Sequence, residues 1–543
     1  MWRLRLSICL MGLAGLPASP MLVAAAEFLS ENGQGRAEII IAENPPRMVR
    51  LAAEELQSHL AKISGAKLPI STQPSREVPL QIYVGRSSFT DKLGIDDAGL
   101  NHGAFRLASG KDWLVLLGRD SDFVKPKVFL NTPADMQQFL ASWDAATGER
   151  WGFANANMYK EYHSGLKIWA RDERGSLNAV YEFLRRLGVR WYLPEQLGEV
   201  IPRSATIELP QLNDTVQPDF ALRFPYQYGR MFAHEATTRE DVLWQLRLGW
   251  SQAADQIGDF GMSLSHGMNP IYERPEVRAA HPEWYFLSNG KRDELKIGQG
   301  RPCLSAPGLF EQHVKYVRAM FDLLDVPMVS LMPQDGYASL CQCELCRGKE
   351  TLDRGWEGQI SDYVWNYVNR VAAEVYETHP DRKVSCHAYG AYLLPPTAID
   401  RLSPNLVVGI CQNRSEFVDP KERARFEKLR AAWLEIIPRG NRQFVINDYY
   451  LHGRKFTAPH LPNFYPRAIA ADLKSLKGVS LGDFIEVHRD PDGMESLAFD
   501  HLNLYVTSRG WWDADQDIEA LLAEYGRDFY GPAAAEMQAL IEY

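Results

Sequence analysis

The sequence predicts an α/β protein, a (β/α)8 TIM-type barrel preceded by a small α+β domain. Three observations carry this expectation. From about Leu222 onward, short apolar runs alternate with helical stretches, the signature of βα units on a parallel sheet. Eight such runs are found, the number that closes a barrel. Upstream of Pro210 the pattern is different, with short β-rich runs around two amphipathic helices. An open doubly wound sheet is the alternative reading of the second region.

Residues 1–26 read as a secretory signal peptide. Arg3 and Arg5 form a positive start without acids, Leu6 to Leu16 is an apolar run, and Ala24, Ala25 and Ala26 supply the small-residue cleavage site before Glu27. The run is shorter than the roughly 20 apolar residues that span a bilayer. No other segment is long and apolar enough to cross a membrane, so the expected product is exported, to the periplasm or beyond.

Residues 27–210 form the expected α+β domain. Ala37–Ile41, Gln81–Val84 and Trp113–Leu117 are strand-like, and Leu51, Leu56, Leu60 and Ile63 mark one face of a helix ending at Gly65. A second helix follows Gly175, with Ala179, Phe183 and Leu187 at helical spacing, and ends at Gly188. Ser121 to Trp169 has weak periodicity and is expected as an insertion or long loop.

Residues 211–543 form the expected barrel. Its strands are expected at 222–228, 260–264, 302–304, 328–332, 383–388, 406–410, 443–446 and 479–485, with helices at 241–248, 310–324, 360–376, 421–436, 468–476 and 496–508. The chain stops within a helical pattern, so the expectation includes a missing C-terminal part.

The charge balance, 59 Lys+Arg against 69 Asp+Glu, becomes more acidic by two when Arg3 and Arg5 leave. An acidic chain without a basic run repels phosphate backbones, so nucleic acid is not expected as a partner. HExxH, phosphate-loop and GxGxxG motifs are absent, and neither a cofactor nor a catalytic metal is expected.

A barrel builds its site at the C-terminal ends of its strands. The polar residues there are Arg230, His266, Asp335, His387, Tyr389, Asn413, Arg414, Asp448, Tyr450, Glu486 and His488. Glycosidic cleavage needs a carboxylic acid for the leaving oxygen and a carboxylate that activates water or attacks the sugar. Asp335, beside Gly336, is the candidate acid, and Glu486 and Asp448 compete for the second role. The remaining eight are expected to bind a carbohydrate substrate. Arg230, Arg414 and Arg454 are candidate clamps for a sugar carboxylate, and Trp284, Tyr285 and Tyr389 are candidate stacking surfaces. Each has a plainer reading: Asp448 as a turn cap, Glu486 as a partner of His488 or Arg489, the arginines as solvated surface and the aromatics as core.

Cys341-Gln342-Cys343-Glu344-Leu345-Cys346 places three thiols in six residues, and Cys303 is expected at the same barrel mouth. Disulfides, a four-cysteine zinc site and free thiols all remain open, and export favours oxidation. Cys386 and Cys411 are expected in the core.

Several segments resemble known families. Ala52 to Leu56, Ile63 to Gly65, Ile82 to Arg86 and Arg174 to Tyr192 resemble the N-terminal domain shared by α-glucuronidases and β-hexosaminidases. His281-Pro282-Glu283-Trp284, Asp335-Gly336, the cysteine motif, Ala388-Tyr389-Gly390 and Trp511-Trp512-Asp513 resemble a bacterial family, domain of unknown function 4838, commonly joined to that domain. The resemblance implies an exported glycoside hydrolase of barrel type acting on polysaccharide or oligosaccharide, with a uronic-acid-bearing glycan in view. It transfers no catalytic pair, because related hexosaminidases carry adjacent Asp-Glu where Asp335 is followed by Gly336. The competing expectations are a glycan-binding protein without catalysis and a metal-dependent hydrolase using the cysteines.

Overall fold

A computed structural model describes residues 27–124, 132–148, 161–163, 165–169, 171–226, 239–250, 266–268, 275–293, 301–438, 443–450, 464–486 and 495–542. The expected signal peptide and the expected strand at 260–264 lie outside these residues.

The first part of the chain builds a six-stranded mixed sheet from β1 (Ala37–Ile40), β2 (Ile70–Ser71), β3 (Leu80–Val84), β4 (Phe105–Ser109), β5 (Trp113–Gly118) and β6 (Asn213–Val216), in the order β6-β4-β5-β3-β1-β2. β1, β2, β3 and β5 run parallel, while β4 and β6 run against their neighbours. Helix α1 (Arg47–Ser64) buries Leu51, Leu56, Leu60 and Ile63, and stops where Gly65 takes φ +83° and its N–H reaches Ala61 O. Helix α3 (Gly175–Arg186) starts hard against β5: a Cβ on Gly175 would lie 2.8 Å from Gly118 Cα, an approach only glycine allows. β6 lies beyond residue 210, so this sheet takes its edge strand from a later stretch than the sequence pattern suggests.

Within the expected insertion, α2 (Pro133–Thr147) is a regular helix. Thr132 caps it by accepting the Asp135 N–H, and Phe139 and Trp143 bury one turn apart, Trp143 against Tyr316. Two large apolar residues make too narrow a stripe to stand out as periodicity.

The second sheet is parallel throughout. Its strands are β7 (Leu222–Tyr226), β8 (Met328–Ser330), β9 (Lys383–Ala388), β10 (Leu406–Gln412), β11 (Phe444–Asp448) and β12 (Gly482–Glu486), in the order β7-β12-β11-β10-β9-β8. The first expected strand therefore pairs with the last, as barrel closure requires. Helices α4 (Arg239–Arg247), α5 (Leu309–Leu324), α6 (Ser361–Tyr376), α7 (Pro420–Ile436), α8 (Pro466–Leu476) and α9 (Glu495–Trp512) accompany these strands. The strand expected at 302–304 is absent. Pro302 forms only an isolated antiparallel bridge with Tyr285, since proline has no N–H for a ladder. Residues 266–268 run close beside the end of β8, where Met268 N–H donates to Met332 O and a Cβ on Gly267 would strike Ser330 O.

The two faces of this sheet have separate cores. Leu222, Phe224, Met328, Val407, Val445 and Phe484 pack together on the concave face. Alternating residues, among them Val408, Ile410, Ile446 and Ile485, join the larger core beneath the helices. Among the described residues no helix is long and apolar enough to cross a membrane.

Candidate active site

Above the small concave core the same face turns polar, because strand alternation carries it on through His387, Asn447 and Glu486. His387 pairs in register with Gly409, and a Cβ there would lie 2.2 Å from the His387 ring, so Gly409 provides the room for the imidazole. Burial lowers the His387 pKa to about 3, with Glu486 pulling the other way and His266 adding to the drop. The ring is neutral at physiological pH. His266 lies at the rim and donates its Nδ1 hydrogen to Pro333 O at 2.6 Å.

A pocket of about 340 Å³ opens at the C-terminal ends of the strands, lined by Asp335, Gly336, Trp356, Tyr389, Asn413 and Tyr449 among others. Asp335 projects from the exposed turn after β8, and its Oδ1 accepts the Tyr389 hydroxyl at 3.1 Å. Burial raises the Tyr389 pKa, and the Asp335 and Glu486 carboxylates raise it further. Tyr389 therefore stays a neutral donor with one carboxylate accepting its hydrogen and a second within electrostatic reach. Glu486 also acts on Cys411 and Tyr449. Asn413 holds its place in the wall by accepting the Ser415 N–H at 3.0 Å.

Asp335, Tyr389 and Asn413 thus come together around one pocket, and Glu486 and His266 come within electrostatic reach of His387. Three other expected site residues do not. Asp448 stands opposite Ile485 in the ladder, one residue out of phase with Glu486, and so faces the helices. There it pairs at 3.2 Å with Arg414, which also binds Asp472 at 2.7 Å and Asp483 through two bonds of 3.0 and 3.1 Å. Arg414, Asp448 and Asp483 are fully buried, and Arg430 closes the cluster on Asp472 at 2.7 Å. Burial pushes Asp448 up to about 6 against the pull of Arg414. This is a structural ion cluster between sheet and helices, which corrects the expectation of Asp448 as a reacting carboxylate and Arg414 as a sugar clamp. Tyr450 is corrected likewise: it is buried with its hydroxyl against Thr507. Trp284 and Tyr285, expected to stack on sugars, are core residues, with Trp284 Nε1 donating to Pro307 O at 2.8 Å. Arg230, Arg454 and His488 lie outside the described residues.

The pocket adds residues that sequence patterning misses. Tyr449 lies between Asp448 and Tyr450 and is the inward member of the three, which strand parity alone would have selected. Trp356 is 59% exposed at the rim, in a loop without periodic pattern. Arg425 lines the wall and pairs with Glu357 at 3.1 Å.

Residues 193–542 match the family described as domain of unknown function DUF4838. Among curated proteins none matches the chain by sequence. Among solved structures, the chain is similar to a family GH115 4-O-methyl-α-glucuronidase with specificity for decorated arabinogalactans, at 13% identity and a TM-score of 0.50, covering 94% of this chain and 61% of that one. It is also similar to the GH20 β-N-acetylhexosaminidase of Streptomyces coelicolor A3(2), at 12% identity and a TM-score of 0.43, covering 94% and 95% of the two chains. The likeness to the glucuronidase is one of fold, and the chain spans about 61% of that enzyme's length.

Proposed function

Because the chain belongs to the DUF4838 family, whose match covers all six parallel strands, we propose that it is a glycoside hydrolase working by carboxylate acid/base catalysis. The observation that carries this reading is the hydrogen bond between Asp335 and the neutral hydroxyl of Tyr389 in an open pocket, with the Glu486 carboxylate within electrostatic reach of that hydroxyl. Asp335 is the acid that protonates the leaving oxygen, and Glu486 is the base or nucleophile on the other side of the sugar. Trp356 and Tyr389 give the sugar flat apolar surfaces, and Asn413 a polar contact. The α-glucuronidase resemblance in the N-terminal segments supports a uronic-acid-bearing glycan. We assign its carboxylate to Arg425, which would exchange Glu357 for the sugar.

The same proposal has the sheet close into a full (β/α)8 barrel between β7 and β8, with the mixed sheet as a separate N-terminal domain. The pairing of β7 with β12 and the approach of residues 266–268 to β8 support that closure. Export follows from residues 1–26 and fits a glycan met outside the cytoplasm.

The test is hydrolysis across a panel of neutral and uronic-acid-bearing glycans by the full chain, by Asp335→Asn and by Glu486→Gln. Cleavage by the wild type and its loss in both variants is expected. Cleavage unaffected by either substitution overturns the assignment. Binding without cleavage by the wild type makes the protein a glycan-binding one.

A further inference from the structure

We propose that Cys303, Cys341, Cys343 and Cys346 hold a structural zinc ion that fixes the loop carrying Asp335. The four sulfurs all lie within 4.8 Å of one another, and Cys303 Sγ is 3.6 Å from both Cys343 Sγ and Cys346 Sγ. Zinc–sulfur bonds of about 2.3 Å in a tetrahedron put neighbouring sulfurs about 3.8 Å apart. A disulfide needs about 2.05 Å and joins sulfurs in pairs. Here Cys303 is equidistant from two partners, so the sulfurs converge on one point instead of pairing off.

The backbone is shaped for this convergence. Cys346 N–H donates to Cys343 O at 3.1 Å, closing a tight turn that brings three sulfurs to one side. The fourth arrives on a separate segment, anchored where Cys303 N–H donates to Trp284 O at 2.7 Å. Donors surround the sulfurs as they do around metal-bound thiolates: Leu287 N–H reaches Cys341 Sγ at 3.2 Å, and the Tyr363 hydroxyl lies 3.3 Å from Cys346 Sγ. Cys303, Cys341 and Cys346 are buried and Cys343 is half-buried, so little water reaches the centre. On binding, each thiol gives up its proton to solvent and its sulfur becomes a ligand. Four protein ligands complete the tetrahedron and leave no open position for substrate, which makes the centre structural and not catalytic.

The centre joins three stretches that are distant in sequence. Gln342 N–H donates to Leu287 O at 2.9 Å, and the Tyr337 hydroxyl donates to Pro302 O at 3.1 Å, beside Cys303. Tyr337 and Asp335 share the Gly336 turn, so the metal sets the position of the pocket rim. This inference stands whether or not the pocket hydrolyses a glycan.

Elemental analysis of the full chain, with Co²⁺ replacing the native ion in a second preparation, tests it. One zinc per chain is expected, together with a tetrahedral thiolate spectrum for the cobalt form. Cys341→Ser and Cys346→Ser should lose stoichiometric zinc, while Cys386→Ser, outside the cluster, should retain it. Chelation should lower the thermal midpoint and leave every cysteine titratable as a free thiol in denaturant. A metal-free wild type overturns the proposal, whether its thiols are all free or its mass is lower by two hydrogens per disulfide. Stoichiometric iron in place of zinc overturns the choice of ion.

Discussion

Along β11, Asp448 turns toward the helices while Asn447 and Tyr449 turn toward the concave face of the sheet, and the chemistry of the two faces diverges from there. On the outer face two arginines and three aspartates are buried together, and Arg414 alone meets three carboxylates. On the inner face His387 Nε2 and Asn447 Oδ1 are buried without a hydrogen-bonding partner among the described residues, and Asp335 stands exposed at the rim. Charged groups sealed from water must satisfy one another, because each unpaired charge costs several kcal/mol. Groups that meet a ligand must keep bonding capacity in reserve. The same strand therefore carries groups locked to one another on one side and, in the proposed function, groups that meet a ligand on the other.

The comparison breaks most readily through two substitutions of opposite signature. Asp335→Asn or Glu486→Gln should lower kcat/KM by about 10²–10⁴-fold, worth roughly 3–5 kcal/mol of transition-state stabilisation, while the thermal midpoint stays put. Arg414→Met leaves Asp448, Asp472 and Asp483 buried with Arg430 as their remaining arginine. Its expected cost is about 3–5 kcal/mol of folding stability by denaturant titration, with kcat per folded molecule little changed. If Arg414→Met instead abolishes hydrolysis in a fully stable protein, the two faces are not separate in function.

A smaller effect concerns pH. The His387 pKa is lowered to about 3 in the folded chain from an ordinary 6.5, so the folded state binds fewer protons in that window. The stability that neutral His387 contributes is complete above pH 6.5 and lost as pH falls toward 3. Thermal midpoints measured at pH 7 and pH 4 should differ less for His387→Asn than for the wild type. An unchanged difference would show that the ring is not held neutral by burial. The smallest effect is expected from Trp356→Ala, which removes an exposed stacking surface: KM rising by about tenfold, or ~1.4 kcal/mol, with kcat nearly constant.

How much was legible in the sequence follows the same division. The six parallel strands were legible as apolar runs, and α1 and α3 as amphipathic patterns with glycine stops, because burial imposes those periods directly on the chain. The strand-end position of Asp335, His387, Tyr389 and Glu486 was legible too, since a polar residue after an apolar run marks where a strand leaves the core. Such residues are not alike in where they point. Asp448, Tyr449 and Tyr450 are adjacent in sequence, yet Tyr449 lines the pocket while Asp448 and Tyr450 are buried away from it. Trp356 and Arg425 reach the pocket on segments whose own sequence carries no period pointing there.

By itself, then, the sequence determined the α/β alternation, the helix ends, the acidic balance and a cluster of three thiols in six residues, because each is a local property of neighbouring residues. Only the tertiary structure decided which carboxylate opens onto the pocket and which are locked to Arg414. It alone also brought Cys303 to the other three thiols and β7 to β12. Those outcomes depend on contacts between residues tens to hundreds of positions apart, and no local pattern records them.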